Sequence, residues 1–185
     1  MREVTLEDIR AMAAEATSDL QASAASVGRD VKIYMHWTAG RYAQTFGDYH
    51  LCIDGDGRVY AMSDSLADVL PHTWRRNTGA IGVALCCAYN ATPQGLGDYP
   101  PTDQQIEALA QVVAVLSGAL GLPIDIQHVM THAEAADNMD GVYASEPYGP
   151  ATTCERWDLA ILRDGDAWMS GGGTLRGKAV WYEEH

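Results

Sequence analysis

Apolar residues recur at helical spacing near the start of the chain. Leu6, Ile9, Met12, Ala16 and Leu20 fall three or four residues apart and predict an amphipathic helix over 5–25. The rhythm then changes. Residues 31–37 (VKIYMHW) are dense in β-branched and aromatic types and read as a strand. Segments 49–53 and 58–62 flank Asp54-Gly55-Asp56-Gly57, whose acid–glycine pairs mark a hairpin turn. Residues 81–88 (IGVALCCA) form an unbroken apolar run of strand length, as expected of a strand covered on both faces. Thr102 is placed to cap a helix running to Leu120, with Ile106, Leu109, Val112, Val113, Leu116 and Leu120 on its core side and Gly121 and Pro123 to stop it. A further strand is expected over 124–131 and a short helix over 155–162. Residues 40–48, 63–80, 90–102 and 137–153 carry the polar, glycine and proline content of loops. Helices alternating with strands, with no internal linker or repeat, predict one α/β domain built on a central mixed β-sheet flanked by helices.

Composition narrows the partners. The chain has 185 residues, 47% of them hydrophobic, enough for a core without staples. Its net charge is −13, from 25 acidic and 12 basic residues, and so acidic a surface repels phosphate backbones and argues against nucleic acid. No run of about 18 apolar residues occurs, so no membrane insertion is expected. The acidic stretch MREVTLEDIR lacks the basic and apolar regions of a signal peptide, which predicts a protein made in the cytoplasm. Cys52, Cys86, Cys87 and Cys154 form no CxxC pair; the first three lie in apolar runs and read as buried reduced thiols.

Candidate chemistry gathers where strands end. His36 closes the 31–37 strand and His132 the 124–131 strand, placing both at a sheet rim. Two neutral imidazoles there suit Zn²⁺, and Asp158 is a candidate third ligand leaving one coordination position open. Taken alone, two scattered histidines and an aspartate are a weak signal.

Five short motifs in order strengthen it: His36-Trp37-Thr38-Ala39-Gly40, Tyr49-His50-Leu51-Cys52-Ile53 with Asp56-Gly57, Asn77-Thr78-Gly79-Ala80-Ile81-Gly82-Val83, Thr131-His132-Ala133-Glu134, and Arg156-Trp157-Asp158-Leu159. Together they resemble the type 2 N-acetylmuramoyl-L-alanine amidases and peptidoglycan-recognition proteins over about residues 30–162. Tyr143, Tyr148-Gly149-Pro150 and the Arg156–Leu159 stretch look most like phage or prophage endolysins. The resemblance implies an amidase/peptidoglycan-recognition-like domain that binds one Zn²⁺ ion through His36, His132 and Asp158. The implied reaction is cleavage, by water activated there, of the amide between N-acetylmuramic acid and L-alanine. Cys154 is a rival third ligand, in a register that places Thr152 where the family has a basic residue.

Other roles follow from the same resemblance. Tyr49 would hold or relay the attacking water, and Arg156, standing where lysine is usual, would stabilise the oxyanion electrostatically. His72 matches a loop histidine lining the substrate groove. Asn77 either bonds ligand or makes a turn, and Thr38 either bonds glycan or shapes the rim. His50, next to Tyr49, is expected on the opposite sheet face. The glutamate that some members use as base is replaced by Ala84. Three functions fit: an endolysin released to the wall by a holin-type route, a cytoplasmic amidase recycling anhydromuropeptides, and a non-catalytic peptidoglycan-binding module. Stem-peptide preference, oligomeric state and the role of residues 163–185 are not legible.

Overall fold

The structure, a computed structural model, describes residues 1–140, 142 and 157–185. Its elements in chain order are β1 (Arg2–Val4), α1 (Leu6–Ser26), β2 (Lys32–Trp37), β3 (Leu51–Ile53), β4 (Val59–Ala61), β5 (Ala80–Leu85), α2 (Asp103–Leu120), β6 (Val129–Thr131), α3 (His132–Ala136) and α4 (Gly171–Glu184). The strands form one mixed sheet in the order β1-β4-β3-β5-β2-β6. β2 runs parallel to β5 and β6, and β3 parallel to β5, while β4 is antiparallel to both β3 and β1.

Side-chain alternation on β5 explains the layering. Ile81, Val83 and Leu85 join Ile33, Met35 and Trp37 of β2 in the main core with the apolar faces of α1, α2 and α4. The intervening positions are Ala80, Gly82 and Ala84, with Ala84 paired opposite His36. The run that reads in sequence as covered on both faces is therefore large on one side and small on the other, and the small side leaves room for polar side chains. Gly82 is the extreme case. A Cβ there would meet the His72 ring, at 2.6 Å from Cγ and 2.8 Å from Cδ2.

The helix starts are set by side chains as the sequence suggests. Thr102 caps α2 in a reciprocal box with Gln105, whose Nε2 also donates to the carbonyls of Ile53 and Cys86, at 3.1 and 3.0 Å, fastening the helix to the ends of β3 and β5. Gly121 ends it in the left-handed conformation, φ 66. α1 begins one residue later than expected after Thr5, which forms a capping box with Asp8, and Leu6 at its first position stays partly exposed instead of joining the stripe.

Two expectations are corrected, and the tail adds an element. Only Val129–Thr131 of the 124–131 segment is strand, because the Asp125 carboxylate accepts from the backbone N–H of Gln127 and His128 and holds a turn. The described part of the expected 155–162 helix consists of turns, with Leu159 at φ 60. The glycine triplet of the tail opens a helix: a Cβ on Gly171 would lie 1.9 Å from the Leu159 carbonyl oxygen, so the close approach needs glycine. α4 is locked to α3 by Arg176, which pairs with Glu134 at 2.8 and 2.9 Å and donates to the Val129 carbonyl.

A buried charge pair ties the 72–77 loop to the segment after α3. The Arg76 guanidinium and the Asp140 carboxylate are both fully buried and meet at 2.8 and 3.1 Å. Tyr34 Oη donates to Asp140, and Arg76 reaches the carbonyls of Trp74 and Val142 and the Asn138 side chain. Burial pushes the Asp140 carboxyl up, but the Arg76 hydrogen bonds and charge outweigh it, leaving the group below the ordinary 3.8.

Two outcomes are expected from this frame. Asp140→Asn removes the carboxylate charge facing a buried guanidinium and should lower stability by about 3–5 kcal/mol in urea unfolding. A carboxyl depressed in the folded state contributes stability above its unfolded value and loses it as pH falls. Below 3.8, therefore, wild-type stability should fall more steeply than that of Asp140→Asn. Gly82→Ala must displace the His72 ring and should cost about 1–3 kcal/mol by overpacking; unchanged stability would show that the ring moves away freely.

Candidate functional site

His36, His132 and Asp158 converge at one end of the sheet. His36 sits on β2, facing away from the helical core that Trp37 enters. β6 pairs with β2 in parallel, Met35 opposite Thr131, so His132, the next residue, arrives beside His36 as the first residue of α3. Thr131 caps that helix in a box with Glu134, which assigns Glu134 a structural partner at each end: the Thr131 N–H and Arg176. Asp158 comes from the turn that follows Trp157. The Trp157 indole packs edge-on against Trp37, with centroids 4.7 Å apart, and the Asp158 carbonyl lies 3.4 Å from the Ala133 N–H.

The resulting geometry is tight. His36 Nδ1 stands 3.0 Å from Asp158 Oδ2, and His132 Nδ1 stands 3.3 Å from Asp158 Oδ1. The two imidazole centroids are 4.9 Å apart. One ligand atom from each of the three residues lies within 4.8 Å of the others, and all three residues are buried. Among the described residues Asp158 Oδ1 accepts no well-formed hydrogen bond despite its burial, with the His132 ring facing it at 3.3 Å. Burial raises the Asp158 carboxyl, but His132 and His36 more than offset this and hold it below the ordinary carboxylate value. Burial lowers His36, with Asp158 opposing in part, so the imidazole is favoured in its neutral form. Neutral imidazole nitrogens and an ionised carboxylate are the forms that bind a metal ion. The donor set of two imidazoles and a buried carboxylate fits a divalent cation.

A cleft of about 650 Å³ opens beside these residues, lined by Thr38, Asp48, Tyr49, His72, Thr73, Trp74, Arg75, Asn77 and His132 among others. Thus Thr38, Tyr49, His72 and Asn77, singled out in the sequence, share one cavity with His132. The Tyr49 ring is 5.2 Å from that of His36, and its hydroxyl lies 3.4 Å from the Trp37 carbonyl. Asn77 Oδ1 accepts from the Thr73 N–H at 2.7 Å, so it shapes the loop as well as lining the cleft. Arg156 and the rival ligand Cys154, with Tyr143, Tyr148, Gly149 and Pro150, lie outside the described residues.

His50 departs from its expected placement. Residues 49 and 50 bend ahead of β3, strict alternation fails there, and both rings lie on the cleft side of the sheet. His50 is buried as a neutral imidazole of defined form: Gly82 N–H donates to Nδ1 at 3.0 Å, and Nε2 donates to the Asp68 carbonyl at 2.8 Å. His128 pairs with Asp125 and His185 with the Trp181 carbonyl, both away from the cleft. Cys52, Cys86 and Cys87 are buried free thiols.

Sequence reading passed over Thr73. It is buried, and its Oγ1 lies 2.8 Å from His72 Nδ1 and 3.2 Å from His36 Nε2, bridging the two rings. A threonine beside a loop histidine has no periodic or motif signal; only the fold brings it to His36. The exposed Trp74 and Arg75 at the cleft wall were likewise illegible.

Comparison with known proteins identifies a family. The family profile described as N-acetylmuramoyl-L-alanine amidase matches residues 11–154, which include His36 and His132 and stop short of Asp158. No curated protein sequence matches the chain. Among solved structures, the endolysin of the Thermus scotoductus bacteriophage Ph2119 is 18% identical, with TM-score 0.44, over 57% of this chain and 72% of that one. The endolysin amidase LysCS from Clostridium intestinale is 18% identical, with TM-score 0.42, over 57% and 70%. The Drosophila peptidoglycan recognition protein SD is 15% identical, with TM-score 0.42, over 65% and 75%. The profile match spans well over half of the sequence, and the chain belongs to the N-acetylmuramoyl-L-alanine amidase family.

Proposed function

We propose that this protein is a zinc-dependent amidase of peptidoglycan, cutting between the lactyl carbonyl of N-acetylmuramic acid and the nitrogen of L-alanine, and that it serves as an endolysin. The observation that carries the reading is the buried meeting of His36, His132 and Asp158 at the wall of an open cleft in a chain of this family. When bound by these three residues, a zinc ion supplies Lewis-acid polarisation of a carbonyl and a lowered pKa for water at the site. The chain's own residues do the rest. His36 and His132 are fixed by β2 and by the start of α3, so little reorganisation is needed when substrate arrives. Tyr49, beside His36, is positioned to hold the attacking water and to pass a proton toward the leaving nitrogen. His72, Thr38 and Asn77 line the cleft where glycan and stem peptide would lie. Arg156 is proposed to meet the negative charge that develops on the carbonyl oxygen.

The cleft face of β5 bears on which amidase this is. At the register opposite His36 stands Ala84, which transfers no proton, so the glutamate base of some relatives has no counterpart there. That favours a lysin acting on intact wall over a cytoplasmic recycling enzyme, with release by a holin-type route. A complete set of three ligand groups argues against a module that only binds.

Metal analysis followed by mass spectrometry of digested sacculi tests the reading. Wild-type protein should carry one zinc and release peptides with a free L-alanine amino group. His36→Ala, His132→Ala and Asp158→Ala should each abolish turnover with the fold retained, and Tyr49→Phe should lower kcat by about 100-fold. Full activity in Asp158→Ala together with loss in Cys154→Ser would transfer the third ligand to Cys154. Absence of hydrolysis with zinc restored would leave a binding module, and a preference for soluble anhydromuropeptides over sacculi would mark a recycling enzyme.

A further inference from the structure

Thr73 lines the cleft wall, yet its hydroxyl is turned to the histidines and not to solvent. Its hydroxyl is shared between two imidazoles, 3.2 Å from His36 Nε2 and 2.8 Å from His72 Nδ1. Its backbone N–H is held in turn by Asn77 Oδ1 at 2.7 Å. Thr73 is 1% exposed, so water does not compete for these bonds. A hydroxyl has one proton to give and two lone pairs, so it can accept from one ring while donating to the other. His36 presents Nδ1 to the Asp158 carboxylate at 3.0 Å, so Nδ1 is the atom available to a shared metal ion. A neutral imidazole that binds through Nδ1 carries its proton on Nε2. That proton points at Thr73 Oγ1, and the threonine's own proton then goes to His72 Nδ1.

We propose that Thr73 is a positioning residue for the metal site: it accepts the Nε2 proton of His36, selects the tautomer that leaves Nδ1 bare toward Asp158 and His132, and at the same time fixes His72 with its proton on Nε2. The chain Asn77–Thr73–His36 thus links the loop that walls the cleft to the metal-binding strand through side-chain and backbone hydrogen bonds alone. The inference rests on the zinc reading above, with His36 as a ligand. It also gives Asn77 a task beyond turn formation, since its amide oxygen sets where the Thr73 hydroxyl sits. The hydrogen bond with Thr73 orients the His72 ring through Nδ1.

Thr73→Val keeps the shape of the side chain and removes the hydroxyl; Thr73→Ser restores the hydroxyl on a smaller frame. Zn²⁺ affinity measured by competition with a chelator, on the full chain without substrate, should weaken by about 10–100-fold in Thr73→Val and recover most of that in Thr73→Ser. Thermal unfolding of the zinc-free forms is the control, because a hydrogen bond with a merely structural role would lower the unfolding temperature and leave zinc affinity unchanged. Equal zinc affinity in wild type and Thr73→Val would overturn the inference while leaving the metal site standing. Failure of the wild type to bind Zn²⁺ would instead remove the zinc reading and this inference with it. Should Thr73→Val not fold, ¹⁵N-detected spectra of the zinc-loaded wild type decide: His36 bound through Nδ1 with a slowly exchanging Nε2 proton supports the assignment, and His36 bound through Nε2 sinks it.

Discussion

A carboxylate that is 1% exposed and faces two imidazoles is the constraint around which this molecule is arranged. Removing an anion from water costs several kcal/mol, on the order of the penalty for any buried unpaired ion. Asp158 meets that cost with two imidazoles whose nitrogens stand 3.0 and 3.3 Å away. Neutral imidazoles answer it only in part, since His36 is itself driven toward the uncharged form by burial. A divalent cation, if held by these three groups, would offset the carboxylate and use the imidazoles in the neutral state that burial favours.

Much of the remaining structure serves to hold that carboxylate in place. Trp157, one residue before it, wedges against Trp37, one residue after His36, so a single indole pair on the core side registers two ligands on the cleft side. Leu159, one residue after it, takes a left-handed backbone that turns the chain away at once. The start of α4 then closes on that turn, Gly171 donating to the Ala160 carbonyl at 3.1 Å. Arg176 of the same helix pairs with Glu134, three residues along from Thr131 in the cap that sets His132. The C-terminal helix, far from the substrate in sequence terms, is in this way part of the support of the site.

The fold was legible where local chemistry decides it. Thr102 with Gln105, the apolar stripe of α2 and the acid–glycine hairpin each carry their instruction within a few residues. His36 and His132 were legible because strand ends and short motifs marked them. What escaped was set by packing between distant segments. The run 81–88 reads as uniformly apolar because alanine, glycine and valine are all apolar; the division into a large and a small face is a matter of volume, which hydropathy does not register. The segment before β6 has the apolar residues of a strand, yet Asp125 bonds the backbone ahead of it and wins locally. The triple glycine carries no helical signal by composition. It is the start of a helix because Leu159 and Glu134 approach too closely for side chains there.

Thr73 and the small face of β5 belong to the same solution. Polar side chains packed over a sheet need space, and Ala80, Gly82 and Ala84 provide it on the side where His36 projects. The His72 ring fills the hollow over Gly82 closely enough to exclude even a methyl group. With its ring seated over Gly82, His72 holds the 72–77 loop against the sheet, where Thr73 reaches His36. The buried Arg76–Asp140 pair fixes the other end of that loop to the segment leaving α3, which begins with His132. Two loops that flank the cleft are therefore joined to each other by charge and to the sheet by shape, and each is connected within a few residues to one of the two histidines. A cleft built this way cannot widen without disturbing the residues placed to do its chemistry, and that coupling makes the loop sequence around His72 as much a part of the active arrangement as the ligands themselves.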